Sequence, residues 1–281
     1  MILPLLSHKG ASSVNVETSL PAFIMGIVNL TSDSFWYKSR YRGISAAEKA
    51  LCMVEEGANI IDLGSESTRP GAEYITEDQE LENLIPVVQE IRRHSQCAIS
   101  IDTRKKNVLE ACVQLGADIL NDVSALEDDE EMIDYVAKEK IPVILMHKRG
   151  KPAIMQRETT YEDVFSQVDL YLKSRVSFAM DNGISADKII VDPGIGFGKG
   201  LQENLELVRS CGLLCSGCFP VAIGLSRKSC IGQMTGRTVQ ERLSGTLAAE
   251  LIAVQHGANI LRVHDVKETY DMLSVLGKIE Q

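Results

Sequence analysis

Residues 56–64 read EGANIIDLG, and the phrase returns as LGADILNDV at 115–123 and HGANILRVH at 256–264. Each copy holds a Gly-Ala pair, an Asn or Asp, and an apolar run that ends in polar residues. Physically this is a helix closing on a left-handed glycine, a short loop and a buried strand. The spacing is too wide and unequal for a solenoid. With this unit as template, strands are predicted at 23–28, 59–63, 98–101, 118–120, 142–146, 189–191, 221–224 and 259–263. Helices are predicted at 45–57, 77–94, 105–116, 128–140, 161–182, 201–211, 237–256 and 267–279. Thr76 with Gln79, and Thr160 with Asp163, carry N-cap signals. Strands that are apolar throughout and alternate with helices require a parallel sheet covered on both faces. A (β/α)8 TIM barrel in a single domain over 23–281 closes such a sheet, with 1–22 as an N-terminal lead-in. A doubly wound open sheet is the alternative.

The chain has 281 residues, 44% of them hydrophobic, which suffices for one large core. Its net charge of −10 argues against nucleic acid or an anionic membrane as a partner, while leaving room for an anionic small substrate. The apolar run in MILPLLSHKG is too short for a secretory signal, and no stretch approaches about 18 apolar residues. A cytoplasmic enzyme is expected. The seven cysteines suit buried free thiols in a reducing compartment. Cys211, Cys215 and Cys218 are spaced C-x3-C-x2-C, as in the iron–sulfur motif of radical S-adenosylmethionine enzymes. They precede a strand, however, and barrel chemistry sits at the other strand ends, so no cluster is expected.

A polar group ends or follows every predicted strand: Asn29, Asp62, Asp102, Asn121, His147, Asp192, Ser226 to Lys228, and Arg262 with His264. In a barrel these points converge on one face, where barrel active sites lie. That organisation says enzyme. The richest loop is VDPGIGFGKG at 191–200, whose four glycines would let the backbone come close to something flat or phosphorylated. It is neither a Walker A loop nor a dinucleotide-binding fingerprint, because Pro193, Lys199 and Gly200 stand at positions those motifs require for other residues.

The segments MGIVNLTSDSF (25–35), IDLGSESTRPG (61–71), IDTRK (101–105), ADILNDVS (117–124), ILMH (144–147), DPGIGFGK (192–199), GLSRKSCIG (224–232) and RVHD (262–265) together resemble the dihydropteroate synthase family. The likeness runs in order from about residue 23 to the end, which no single motif would achieve. It implies a transferase of folate biosynthesis that joins 6-hydroxymethyl-7,8-dihydropterin diphosphate to 4-aminobenzoate. It also implies Mg²⁺ as cofactor and a homodimer built from the later helices, here 237–256.

The resemblance gives the residues roles that their chemistry suits. A pterin presents a ring N–H beside an exocyclic amine, from which a carboxylate accepts twice. Asp192 is the candidate clamp. Asn121, Asp102 and Lys228 supply further ring contacts, and Met146 and Phe197 offer apolar contact, with plain core packing an equal reading for these two. Arg262 and His264 face the leaving pyrophosphate, and Asn29 is the candidate Mg²⁺ ligand. Ser229 beside Lys228 resembles the pair near the benzoate carboxylate, while Thr68 and Arg69 sit on a second loop that folds over the site. The first loop departs from the family pattern: it reads NLTSDSFWYKS from Asn29, with Ser32 for a proline and Tyr37 for an aspartate. A non-catalytic or weakly active pterin-binding paralogue is therefore one alternative. A methyltetrahydrofolate-dependent methyltransferase is another, disfavoured by the Arg262–His264 pair.

Overall fold

The computed structural model describes residues 2–4, 15–30, 42–66, 75–150 and 159–280. The lead-in forms a small antiparallel ladder of β1 (Ile2–Pro4) and β2 (Asn15–Glu17), with Ile2 opposite Glu17. Then come β3 (Phe23–Asn29), α1 (Arg42–Glu55), β4 (Ile60–Gly64), α2 (Glu77–His94), β5 (Ala98–Asp102), α3 (Lys106–Gln114) and β6 (Ile119–Asp122). These are followed by α4 (Met132–Glu139), β7 (Val143–Met146), α5 (Val164–Asp181), β8 (Ile189–Asp192), α6 (Leu201–Ser210) and β9 (Ala222–Ile223). The chain ends with α7 (Ser229–Thr235), α8 (Leu243–Gln255), β10 (Ile260–Val263) and α9 (Val266–Ile279).

The second sheet has eight strands in the order β8-β7-β6-β5-β4-β3-β10-β9, every ladder parallel. Its two ends meet through a parallel bridge between Val191 and Val221, where Val191 N donates to Pro220 O at 2.9 Å. The sheet is thus a barrel, as expected, and not an open doubly wound sheet.

Alternation along each strand sorts the residues into two sets. Phe23, Met25, Ile60, Ala98, Ile119, Ile144, Ile190, Ala222 and Ile260 form one apolar cluster inside the barrel, which Val16 of the lead-in joins. Their neighbours, among them Ile24, Ile61, Ile99, Leu120 and Val191, pack outward with the helices in a second, larger cluster. Two residues beyond Ile60, Ile119, Ile144, Ile190 and Ile260, on the same inward columns, stand Asp62, Asn121, Met146, Asp192 and Arg262. The apolar plug therefore gives way to a polar layer at the C-terminal mouth.

The recurring Gly-Ala-Asn/Asp phrase has a definite job at the other end. Gly57, Gly116 and Gly257 have φ of +107°, +107° and +99° and close their helices, as expected. The following Asn59, Asp118 and Asn259 each turn a side-chain oxygen onto the first free N–H of a neighbouring strand: Ile24 N at 2.9 Å, Ile99 N at 2.8 Å and Val221 N at 2.9 Å. Each donor lies one residue before the ladder to that neighbouring strand begins, and a buried N–H left unpaired would be costly.

Some local expectations change. The capping box at Thr76 and Gln79 is present, but α5 is capped by Asp163 itself, which accepts from Ser166 N at 2.9 Å, and not by Thr160. β5, β6 and β8 run one or two residues further than predicted, so Asp102, Asn121 and Asp192 belong to strands rather than to the loops beyond them, whereas β9 is shorter than predicted. The predicted helix at 237–256 is α8 preceded by a 3-10 turn, and α7 was not predicted at all. Its short SCIGQMT lacks the length to show a helical period.

One buried group invites a stability test. Glu250 on α8 is 1% exposed; its Oε2 accepts from Thr269 Oγ1 at 3.2 Å, and its Oε1 has no partner among the described residues. Burial raises its pKa to about 8, with the Thr269 hydrogen bond opposing. A carboxyl whose folded pKa is raised stabilises fully below its unfolded value and loses that contribution as pH climbs through the folded one. Glu250→Gln should therefore leave thermal stability nearly unchanged at pH 5 and raise it at pH 9, by on the order of a few kcal/mol. Melting curves of equal pH dependence for the two proteins would refute this.

Candidate active site

Three strands tie Arg262 in place. Its Nε donates to Asp62 Oδ2 at 2.6 Å and its Nη2 to Asp102 Oδ2 at 2.8 Å. Asn121 Nδ2 reaches both oxygens of Asp62 at 3.3 Å. Asp62 was legible only as one strand-end polar residue among many; here it is the hub, fully buried between two of the expected site residues. The available signal was its inward register, two residues after Ile60. Burial raises the Asp102 pKa to about 7 against the pull of Arg262, with Asp62, Glu80 and Asp122 adding to the rise.

The glycine loop is built to fold onto its own barrel. Gly194 has φ +68°, and a side chain there would collide with the His147 carbonyl; at Gly198, also φ +68°, a Cβ would lie 2.6 Å from Arg149 O. The close approach expected of these glycines is thus made to the chain after β7. Gly196, in contrast, faces Lys228, whose Cδ is 3.6 Å from a Cβ built there. Inside the loop Lys199 is 3% exposed, and its Nζ lies 2.8 Å from His147 Nδ1, 3.0 Å from Gly194 O and 3.1 Å from Phe197 O. Burial lowers the Lys199 pKa to about 7, with Asp192 opposing, and burial beside Lys199 lowers His147 to about 3. His147 is a neutral acceptor that locks the loop.

Asp192 ends β8, is buried, and accepts from Gly194 N through Oδ1 at 2.6 Å. Burial raises its pKa, opposed first by Lys228. Lys228 donates to Ile195 O at 2.5 Å and lies 5.0 Å from the centroid of the half-buried Phe197 ring. Burial lowers the Lys228 pKa to about 8, with Asp192 opposing. Met146, 4% exposed, is in register with Asp192 across the β7–β8 ladder. Asp102, Asn121, Asp192, Lys228, Phe197, Met146 and Arg262 thus share one mouth.

His264 follows β10, and its Nδ1 is 3.0 Å from Ser226 Oγ, which also accepts from His264 N at 3.1 Å. Burial, then Arg262 and Lys49, hold its pKa down to about 4, so it is neutral at pH 7. Arg227, between them in sequence, is spent on structure: it sits at φ +55° and forks onto Asp265 with two contacts of 2.8 Å. Asn29 is exposed at the end of β3, and Ser229 is exposed at the start of α7. Thr68, Arg69 and the first-loop residues Ser32 and Tyr37 lie outside the described residues.

Among the described residues no three His, Cys, Asp or Glu side chains converge on a metal position. Cys211 Sγ points instead at Ala253 O and His256 O, at 3.6 and 3.5 Å, and burial raises its thiol and that of Cys215 to about 11. These residues precede β9, at the far end of the barrel from the polar layer. No described helix is long and apolar enough to cross a membrane.

Comparison with known proteins places this arrangement. The family described as pterin binding enzyme matches residues 25–264. The dihydropteroate synthase of Haemophilus influenzae is 41% identical over 269 residues, covering 94% of this chain and 96% of that protein. A Xanthomonas albilineans dihydropteroate synthase solved with 4-aminobenzoic acid superposes with a TM-score of 0.90 at 38% identity, covering 99% of this chain and 98% of that one. The same enzyme in complex with 7,8-dihydropteroate gives 0.87 at 36% identity, with 99% of each chain covered.

Proposed function

Since the chain belongs to the dihydropteroate synthase family of pterin binding enzymes, we propose that it condenses 6-hydroxymethyl-7,8-dihydropterin diphosphate with 4-aminobenzoate, releasing 7,8-dihydropteroate and pyrophosphate. The observation that carries this reading is the polar layer itself: two buried carboxylates, an amide and two cations gathered above a sealed apolar plug. Asp192, Asn121 and Asp102 are of the right kind to take the donor edge of a pterin, with Lys228 for an acceptor atom of the ring. Met146 and Phe197 are the candidates for apolar contact with the rings. Arg262 offers a guanidinium to the diphosphate oxygens. Neutral His264 can donate one N–H to them, since its Nδ1 is engaged with Ser226.

The chemistry needs little proton management. The bond from the pterin methylene carbon to oxygen breaks, and the electron pair leaves with pyrophosphate. The aromatic amine nitrogen bonds to that carbon and then gives its proton to solvent. The chain's contribution is to hold the two substrates in line and to meet the charge that grows on the leaving oxygens. Ser229 beside Lys228 is proposed for the benzoate side, and Thr68 and Arg69 of the second loop are proposed as further site residues.

Asn29 suits Mg²⁺ in a limited way. It offers one exposed amide oxygen at a strand end, and with no acidic cage among the described residues this donor set fits an ion that keeps its waters and rides on the diphosphate. When bound there, Mg²⁺ supplies positive charge to the departing phosphate oxygens. A homodimer through the later helices is also proposed. Met234, Val239, Ile252, Tyr270, Val275 and Ile279 supply most of the large exposed apolar side chains among the described residues. A cytoplasmic location accords with seven unpaired cysteines.

The test is pyrophosphate release from the purified protein, with and without 4-aminobenzoate, alongside detection of dihydropteroate. No release under either condition would instead favour the non-catalytic pterin-binding paralogue. A pH profile adds a second check. Asp102 is ionised above about 7 and Lys228 protonated below about 8. Log kcat/KM, which reports the free enzyme, should rise towards pH 7 and fall beyond pH 8. Asp102→Asn should flatten the acid limb alone. A profile that stays flat from pH 6 to 9 would exclude these two groups as the titrating pair.

A further inference from the structure

We propose that Asp62 is a positioning residue that sets the pterin end and the diphosphate end of the site in one frame, an inference that rests on the function proposed above. Asn121 on β6 and Arg262 on β10 lie on opposite sides of β4 in the strand order, with one strand intervening on each side. Among the described residues the two side chains are joined through a shared partner. Asp62 is that partner, in the middle of β4, accepting Arg262 Nε at 2.6 Å and Asn121 Nδ2 at 3.3 Å. It is wholly buried, so it touches no substrate and acts only through these two side chains. Asp102 fixes Arg262 Nη2, while Nη1 has no partner among the described residues. The guanidinium is thereby held by one edge with its remaining donors free to meet an anion. The long, flexible Arg262 side chain is pre-ordered before substrate arrives, which spares that cost on binding.

A carboxylate is required because both partners are donors. Asparagine at 62 has a single acceptor oxygen, so its own amide N–H must face either Arg262 Nε or Asn121 Nδ2. The two orientations compete, and in either one the Arg262 ion pair has lost its charge, so neither Arg262 nor Asn121 keeps a fixed acceptor. Arg262→Ala should weaken pyrophosphate binding and Asp192→Asn should weaken pterin binding, each largely alone. Asp62→Asn should weaken both, pyrophosphate and a phosphate-free hydroxymethylpterin, by about ten- to a hundredfold each. A merely structural role would lower the melting temperature and leave both affinities of the folded protein unchanged.

The experiment is calorimetric titration of the full chain with pyrophosphate and, separately, with the phosphate-free pterin. It compares wild type, Asp62→Asn and the double variant Asp62→Asn/Asn121→Asp. In the double variant the amide at 62 can accept from Arg262 and donate to the carboxylate at 121. Pyrophosphate affinity should return to near wild type while pterin affinity stays low. Loss confined to one ligand in the single variant, or no recovery of pyrophosphate binding in the folded double variant, would overturn the proposal. The unmodified protein gives a check that needs no variant to fold. By ¹⁵N NMR the Arg262 Nε–H should resist solvent exchange both free and with pyrophosphate bound, and exchange at the rate of an exposed arginine in either state would also overturn it. These are binding readouts, so they stand even where wild-type turnover fails, and turnover failure alone would count against the reaction and not against Asp62.

Discussion

Replacing Arg262 with alanine should lower kcat/KM by about a thousandfold, because the guanidinium is the fixed cation we propose to face the departing pyrophosphate. Its cost will not be purely catalytic. Asp62 and Asp102 both rely on Arg262 as their ion-pair partner, at 2.6 and 2.8 Å. Removing one member of a buried charge cluster commonly destabilises by about 3–5 kcal/mol. Asp102 softens that penalty, since a carboxyl whose pKa is already about 7 takes up a proton readily once its cation is gone. The two effects separate by ligand. Pyrophosphate affinity should collapse, whereas affinity for a phosphate-free pterin should fall little in the fraction that is folded. Arg262→Lys keeps the charge but not the fork, so it should recover stability in part and pyrophosphate binding only slightly. Equal losses for the two ligands would assign Arg262 a structural role and remove it from the diphosphate pocket.

The barrel was legible because its signals are periodic and local. A helix, a left-handed glycine and a β-branched run recur often enough that the parallel sheet follows, and the polar residues at strand ends fall on one face. Strand ends were placed slightly short for a physical reason. Asp102, Asn121 and Asp192 look like loop residues by type, yet they continue the ladder because the barrel mouth is itself a polar, hydrogen-bonded layer. Asp62 had the same residue type and position as its neighbours, and nothing in the sequence says which of several carboxylates faces a cation and which faces a ligand. That depends on distances between β4, β6 and β10, which are far apart in the chain. The role of the glycine loop was legible only in part. Glycines permit close approach, but whether to a ligand or to the chain after β7 is decided by tertiary contacts with His147 and Arg149. The buried Lys199–His147 pair was equally hidden, since a lysine in a glycine-rich loop reads as an exposed cation until the acceptors around it are known.

Asp192→Asn should cost about a hundredfold in pterin affinity while leaving the protein as stable as before or more so. The argument turns on which oxygen is already engaged. Oδ1 accepts from Gly194 N at 2.6 Å, a bond that belongs to the turn and persists with or without ligand. In the asparagine variant the amide oxygen must take that role, because the alternative sets an N–H against the Gly194 N–H. The amide NH₂ then takes the place of Oδ2, the oxygen we propose for the donor edge of the pterin. A donor meets donors, and such a mismatch in a buried site costs about 1–3 kcal/mol, more where a charge is lost. Stability moves the other way. Burial raises the Asp192 pKa, so its ionised form opposes folding, and that penalty develops as pH rises through the raised folded value. The neutral amide does not incur it, although Lys228 and Arg262 lose part of their compensation. Titration calorimetry with the pterin, paired with a melting curve at pH 8, reads both quantities on one sample. Unchanged affinity would remove Asp192 from the pterin pocket, and a melting temperature many degrees lower would show that its carboxylate serves the glycine loop first.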